Sequence, residues 1–391
     1  MKEKIQIRYN LLQILFWLLA CCVSGYVAIY LKAKGLDNTE IGLVTGLSCV
    51  FIMFISPSVS TVLQKVKSLT IPKLATILLV LTSLLFLFVS YINIPAILLI
   101  VLYIVIITGY LSCVPLLSTI CMNYIERGYD LNFGLARGMG SVSYAISAVV
   151  LSYCIDLFDA NALSVIHAIS VVLFLCILNT MPDYVEERRE AEKKQGSVFT
   201  IIKKYKLVFI ILLGWAFTFS AATTLSTYLI NVVENLGGNT TIYGYAVFCM
   251  AASELPAMAV TRKLMRKYNA MSLIVVAGLA YFIRNVLIAI APNLIFVFLG
   301  VIFQSFSYGL LTSMITYYIA DTCEKEDQVM GQTLQGIMTT GLGSMLGNIL
   351  GGVLQDALGL NAMLVFAIGM TVIGSLILIG TGLTQRKKMS S

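Results

Sequence analysis

Charge is what this sequence has least of. Asp, Glu, Lys and Arg make up 12% of its 391 residues, hydrophobic residues 59%, and the mean hydropathy is +0.92. A soluble chain needs roughly a quarter of its residues charged to cover its surface, so a soluble globular fold is excluded. Histidine is almost missing: His167 is the only one. The nine cysteines are scattered through apolar stretches such as "LACCVSG", without CxxC pairs. They read as small buried hydrophobes, and no metal site is expected. Catalytic signatures are lacking as well. There is no nucleophile–histidine pair, no HExxH and no carboxylate pair at catalytic spacing. "TTGLGS" lacks the strand and the lysine of a phosphate loop. An enzyme is therefore not expected, nor a cofactor. The first apolar stretch is too long for a signal-peptide core, and no small-residue cleavage site follows it, so no cleavable leader is expected.

Strict apolar–polar alternation over ten residues is also absent, which argues against a membrane barrel. What is present is a series of apolar stretches of about the 20 residues a helix needs to cross a bilayer. There are twelve, at approximately 9–31, 41–63, 72–92, 95–124, 137–158, 160–181, 207–232, 242–263, 270–291, 294–319, 331–355 and 362–384. The weakest boundary is "DLFDAN", between the fifth and sixth. The expected fold is all-α, a polytopic membrane protein of twelve transmembrane helices whose partner is the lipid bilayer.

The net charge of +7 would point to nucleic acid in a soluble chain. Here it reports the excess of Lys and Arg in short inside loops, and no nucleic-acid partner is expected. With both termini cytoplasmic, only Lys32 and Lys34 fall outside; Lys73, Arg262 and Lys263 lie at the inside edges of their spans and count with the inside loops, and Arg137 and Arg284 are assigned to the spans themselves. A multi-pass protein of the cell membrane is the expectation.

The longest loop, "PDYVEERREAEKKQGSVFTIIKKYK", lies near the midpoint. It is expected to be cytoplasmic, its "VEERREAEKK" run either a surface amphipathic helix or a solvated linker. It divides the chain into 1–181, a linker 182–206, and 207–391. The halves echo each other: "GLDNTEIGLVTG" resembles "NLGGNTTIYGYAV", and "MGSVSYAISAVVLSYCIDLFDANAL" resembles "LGSMLGNILGGVLQDALGLNAM". Two parallel, pseudo-symmetric six-helix bundles are the pattern of a rocking transporter with its site between the halves.

Ionisable residues inside a span are expensive and usually face a cavity or a partner. Three stand out: Arg137, Glu254 and Arg284. Arg137, Ser141 and Tyr144, at i, i+4 and i+7, share one helix side and offer a guanidinium, a hydroxyl and a ring. The alternatives are a polar helix–helix seam and, for Arg137, snorkelling to water. Glu254, in "CMAASELPAMAV", precedes Pro256, which frees a backbone carbonyl one turn back. That setting suits a proton or cation step, unless Glu254 simply pairs with Arg284. Two arginines against one carboxylate leave an unpaired positive charge, which favours an anionic solute, or a neutral one with the second arginine solvated. Gln304 and Tyr308, Gln332 and Gln335, Asn10 and Gln13, Asn123 and Asn285 are either solute hydrogen-bonders or polar glue between helices. Gly343, Gly347 and Gly351 read as close helix packing. His167 reads as a core histidine.

On these residues the chain resembles the major facilitator superfamily. "FGLARGMGSVSYA" (133–145) is similar to the span-five motif of the lactose permease/oligosaccharide:proton symporter family. In that family an arginine, and an aromatic seven residues later, face the substrate; the resemblance gives those roles to Arg137 and Tyr144. "ASELPAMAVTRKLMRKYNAMSLIVVAGLAYFIRNVLIA" resembles the same clan, which includes phenylpropionate and nucleoside permease-like members. There Glu254 matches a span-eight carboxylate and Arg284 a span-nine arginine, implying proton coupling.

The departures are specific. The proton-handling histidine of span ten falls on Gln304, and the carboxylate one turn on falls on Ser307. The span-four sugar-binding glutamate falls near Met122 or Asn123. "SAATTLST" lacks the span-seven acids, and "PSVSTVLQKVK" has Ser60 and Gln64 where the superfamily loop carries Gly and Asp. Sugar specificity and the full proton relay therefore do not carry over. The expected function is proton-coupled uptake of a small organic solute (an organic acid, nucleoside or oligosaccharide) by a single chain. Arg137, Ser141, Tyr144, Asn123, Gln304 and Tyr308 are the candidate solute contacts, with Glu254 and Arg284 for coupling. The alternatives are an exporter of drugs or metabolites and a non-transporting membrane sensor.

Overall fold

The computed structural model describes residues 2–66, 69–182 and 198–390, and among them no strand occurs. The "VEERREAEKK" segment lies outside the described residues. The chain divides into two compact units, Met1–Glu190 and Ala191–Ser391.

The first unit contains six helices. α1 runs through Lys2–Ala20, a π-helical turn Cys21–Gly25, and Val27–Ala33. α2 is Asn38–Lys65, α3 Ile71–Tyr91, α4 Ala96–Glu126, α5 Phe133–Leu157 and α6 Ala162–Leu178. In the second unit a short helix, Val198–Lys204, leads into α7, made of Lys206–Thr227 and Leu229–Asn235. α8 is Thr240–Lys267 and α9 Ala270–Ala289. α10 spans Leu294–Thr322 around a π-turn Ser305–Gly309, and α11 Gln328–Leu358 around a second one, Ile337–Gly343. α12 is Leu360–Ser390.

Eleven of these helices are long and apolar enough to cross a membrane. The sixth expected span is the exception. The stretch 160–181 holds a 17-residue helix, α6, with Asn161 and Asn179 at its two ends. That length is at the lower end of what spans a bilayer.

The breaks between helices follow local chemistry. Gly35 and Gly237 end α1 and α7 at φ +88° and +80°, a conformation only glycine adopts freely. Two residues beyond each, an acceptor side chain caps the next helix. Asp37 Oδ1 accepts from Glu40 N at 2.8 Å, and Glu40 Oε2 accepts from Asp37 N in return. Asn239 Oδ1 accepts from Ile242 N at 3.0 Å. The sequence repeat is thus a repeated turn. Asn132, Asn269 and Asn293 cap α5, α9 and α10 in the same way.

Two contacts organise the second unit. In the first, the glycine row of α11 lies on α7. A Cβ on Gly347 would come 2.2 Å from the Ser220 carbonyl oxygen, and one on Gly343 3.0 Å from that of Ala216. Thr224 Oγ1 donates to the Gly347 carbonyl at 2.7 Å, so close approach also brings polar groups together. In the second, Lys204 Nζ lies 2.8 Å from both Glu324 Oε2 and Asp327 Oδ2, and the Tyr205 hydroxyl donates to Asp327 Oδ2 at 2.9 Å. This clasp ties the entry to α7 to the α10–α11 loop. Lys204 and Tyr205 hold the Asp327 carboxyl below its ordinary value, and the two acids raise the Lys204 ammonium.

Gly347→Leu is expected to lower the melting temperature of the purified chain, an overpacking cost of about 1–3 kcal/mol. Gly336→Ala, where nothing lies within 4 Å of the new Cβ, leaves it nearly unchanged. The clasp predicts a pH dependence whose sign is set by its shifts. Asp327, depressed in the fold, adds stability above an unfolded pKa of about 3.9 and loses it as pH falls through the lower folded value. Lys204, raised in the fold, adds stability below about 10.4 and loses it as pH rises through the higher folded value. Asp327→Asn should therefore lower the melting temperature at neutral pH, by a difference that shrinks steadily below pH ~4.

Candidate functional site

In the first unit the site grows from one face of α1. Tyr9, Gln13 and Trp17 follow one another at four-residue spacing, so they stack along the helix. The Tyr9 hydroxyl donates to the Leu117 carbonyl of α4 at 3.0 Å. Gln13 Nε2 donates to the Tyr9 oxygen at 2.8 Å, and Trp17 Nε1 donates to Gln13 Oε1 at 3.2 Å. This chain of bonds fixes the plane of the indole. α5 accepts the ring through Gly140, where a Cβ would lie 2.2 Å from Trp17 Cδ1.

Arg137 lies on that indole, its guanidinium carbon 3.9 Å from the ring centroid. Stacking of this kind is worth roughly 0.5–2 kcal/mol, more where water is excluded. Arg137 Nη1 donates to Ser141 Oγ at 2.8 Å, and Tyr144 stands edge-on to Trp17 at 6.4 Å between centroids. The three residues expected to share a face therefore do so, around a ring the sequence reading passed over. Its signal was the Gln13–Trp17 spacing opposite a glycine in "ARGMG". Gly25, which closes the π-turn of α1, leaves room for Tyr144: a Cβ there would be 2.9 Å from the phenol oxygen. Phe16 continues the aromatic wall to Tyr110, stacked at 4.8 Å, whose buried hydroxyl has no hydrogen-bond partner among the described residues. Asn123 is half-buried on α4, and its carbonyl accepts from Arg127 Nη1 at 2.7 Å.

In the second unit Glu254 is half-buried on α8, and its Oε1 accepts from Gln304 Nε2 of α10 at 2.9 Å. Gln304 stands just ahead of the π-turn Ser305–Gly309. Gly309 closes that turn, and a Cβ on it would lie 3.3 Å from the Glu254 carbonyl oxygen. The glycine lets α10 settle on α8 beside the carboxylate. Pro256 sits within the same helix.

Arg284 of α9 is 1% exposed. Its Nη1 donates to Asn285 Oδ1 at 2.6 Å. Its Nη2 donates to Ser226 Oγ at 3.0 Å and faces Met250 Sδ at 3.7 Å. Its Nε–H has no hydrogen-bond partner among the described residues. Asn285 is held in turn by Thr371 Oγ1, which accepts at 2.9 Å. These hydrogen bonds run to neutral groups, and Glu254 and Tyr281 are the titratable groups within Coulombic range of the guanidinium. Ser226 and Met250 belong to the site but carry no charge or motif to mark them in sequence.

Gln304 and Tyr308 have different neighbours. While Gln304 meets Glu254, the Tyr308 ring stacks on Phe219 of α7 at 5.8 Å. Gln332 Nε2 bonds the Thr316 carbonyl at 2.9 Å, tying α11 to α10. His167 is fully buried on α6, edge-on to Phe86 at 5.5 Å, and neither ring nitrogen has a hydrogen-bond partner among the described residues. It is a core residue apart from both clusters.

Two tryptophans make the stack on Trp17 measurable. In a Trp215→Phe background Trp17 is the sole indole emitter, and removing the cation with Arg137→Ala should shift its emission and lower its susceptibility to quenching by added anions. An unchanged spectrum would mean that the guanidinium does not lie on the ring.

The sequence matches the MFS_1 like family over residues 6–367. It is 23% identical to the maltose permease of Geobacillus stearothermophilus over 270 residues, 68% of this chain and 67% of that one. Its fold is shared with the nucleoside transporter NupG, at TM-score 0.78 and 13% identity, over 96% of this chain and 98% of that one. A bacterial homologue of the human lysosomal transporter Spinster, inward-facing and unoccupied, matches at TM-score 0.74 and 12% identity, over 99% and 98%. With its helical membrane fold and intramembrane charges in each half, the chain belongs to the MFS_1 like family of major facilitator superfamily transporters.

Proposed function

We propose that this transporter is a proton-coupled importer of a small organic solute, working by alternating access. The observation that carries the proposal is Arg284, a nearly inaccessible guanidinium hydrogen-bonded to neutral partners and with an unmatched Nε–H. A buried cation needs a counter-charge. Ionised Glu254, within Coulombic range, supplies one. When Glu254 takes up a proton, that balance is lost and the site becomes cationic by one charge. An anionic group on the solute then restores neutrality, so proton and solute favour each other's binding. This is a thermodynamic coupling, reciprocal by linkage.

Arg137 supports the same reading. A guanidinium over an indole keeps a planar fork of donors, the geometry that suits a carboxylate. Ser141 and Tyr144 add a hydroxyl and a ring beside it. Among organic acids, nucleosides and oligosaccharides, the charge balance favours an organic acid. The maltose permease and nucleoside transporter likenesses keep neutral solutes in the test. Lys and Arg concentrated in the inside loops support a cell-membrane protein with both termini cytoplasmic.

Proteoliposomes loaded with and without a pH gradient provide the test, using 3-phenylpropionate, uridine and maltose as probes. A gradient-driven accumulation of the acid is expected. Glu254→Gln should leave counterflow within about twofold of wild type and reduce uphill accumulation tenfold or more, a loss of at least ~1.4 kcal/mol of coupling. Accumulation that ignores the gradient, or survives in Glu254→Gln, would sink proton coupling through this residue.

A further inference from the structure

Gln304 is 8% exposed, and its two amide atoms stand in unlike surroundings. Nε2 donates to Glu254 Oε1, while Oε1 has no hydrogen-bond partner among the described residues. A primary amide has one donating end and one accepting end. An ionised carboxylate only accepts, so it must be met by Nε2, which leaves the acceptor Oε1 at the opposite end of the amide without a partner among the described residues. A protonated carboxyl has an O–H to donate. It is met by the amide turned over, with Oε1 accepting from the acid and Nε2 directed away. The terminal torsion of glutamine is broad and roughly two-fold, and the two orientations fill nearly the same volume. The turn therefore needs no movement of α8 or α10.

We infer that Gln304 transduces the protonation of Glu254 into a change of hydrogen-bond character at the solute site: it offers an acceptor when Glu254 is ionised and a donor when Glu254 is protonated. The inference rests on the reading of Glu254 as the proton-carrying group. A proton from water forms one O–H bond on Glu254, the same bond breaks on release, and the glutamine itself gains and loses none. The solute class follows from the donors. In the protonated state Gln304 Nε2 and the unmatched Nε–H of Arg284 both ask for an acceptor, and the guanidinium asks for negative charge, so the fitting group is an oxyanion such as a carboxylate. In the ionised state that oxyanion meets a carboxylate and an amide oxygen, both of which repel it. A residue that titrates nowhere near neutrality can in this way stand where the resemblance places a histidine.

Other titratable groups stand on the helices around Glu254. α10 carries Tyr308, whose ring stacks on Phe219, with Tyr317, Tyr318 and Asp321 toward its far end, and the Leu229–Asn235 segment of α7 carries Glu234. From α9, Tyr281 and Arg284 lie within Coulombic range of Glu254. The Gln304–Glu254 hydrogen bond is one that reverses its sense when the carboxyl gains a proton.

Infrared difference spectra between alkaline and acid buffer, taken on the full chain in liposomes without added solute, read both groups. Acidification should raise a protonated-carboxyl band and move a glutamine side-chain carbonyl band to lower frequency, because a C=O without a donor then acquires one. Glu254→Gln should lose both signals. Gln304→Leu should keep the carboxyl band and lose the amide shift. Gln304→Met, unbranched and of similar length, repeats that test if the leucine variant fails to fold. A Glu254-dependent carboxyl band with no amide shift, or an amide shift that survives both Gln304 variants, overturns the transducer while leaving Glu254 as the proton site. A carboxyl band that Glu254→Gln does not remove overturns the reading beneath it, and the inference with it.

Discussion

Hydrocarbon offers no hydrogen bonds, and the rest of this structure follows from that constraint. Every backbone N–H and C=O in a span must be satisfied within the protein, which a helix does by itself. Polar side chains in the spans meet the same demand, and most answer it locally. Thr45, Ser48, Ser112, Thr261 and Thr371 return their hydroxyls to carbonyls three or four residues back. The long-range bonds are fewer and join helices. Tyr9 reaches Leu117, Tyr103 reaches the Val23 carbonyl in the π-turn of α1, and Tyr228 reaches Asn348. Among the buried polar atoms left without a hydrogen-bond partner by the described residues are Arg284 Nε and Gln304 Oε1, the second on the side chain that meets the intramembrane carboxylate.

Each unit treats its arginine differently. Arg137 is half-buried and covered on one face by an indole. Arg284 is enclosed, its charge met by dipoles of Asn285 and Ser226 and by the field of Glu254. The first arrangement presents a cation; the second stores one whose effective charge depends on a neighbour.

Glycine and π-turns set how closely these groups meet. Gly25 and Gly309 each close a five-residue π-turn, one against Tyr144 and the other against Glu254. A π-turn widens the helix by one residue and breaks the regular ladder, a cost tolerated where it aims a side chain. Gly140 has the same effect without a turn, by giving Trp17 a notch in α5.

How much of this was legible beforehand depends on the range of the interaction. Hydropathy, the Lys/Arg distribution and the paired "GLDNTE" and "GGNTT" turns are local, so helix type, most helix limits and the repeat could be read directly. Helical spacing alone grouped Arg137, Ser141 and Tyr144, and the cost of burying charge singled out Glu254 and Arg284. The sequence by itself determined which polar groups the spans would have to accommodate. Only the tertiary structure decided how. That Trp17 lies under Arg137, that Gln304 meets Glu254 while Tyr308 turns to Phe219, and that Arg284 bonds to Ser226 depends on which helices adjoin and at what height. Those contacts join residues from 50 to 120 positions apart. They are set by side-chain shape across helix faces, including the absence of a Cβ at three glycines, and no periodicity along the chain encodes them.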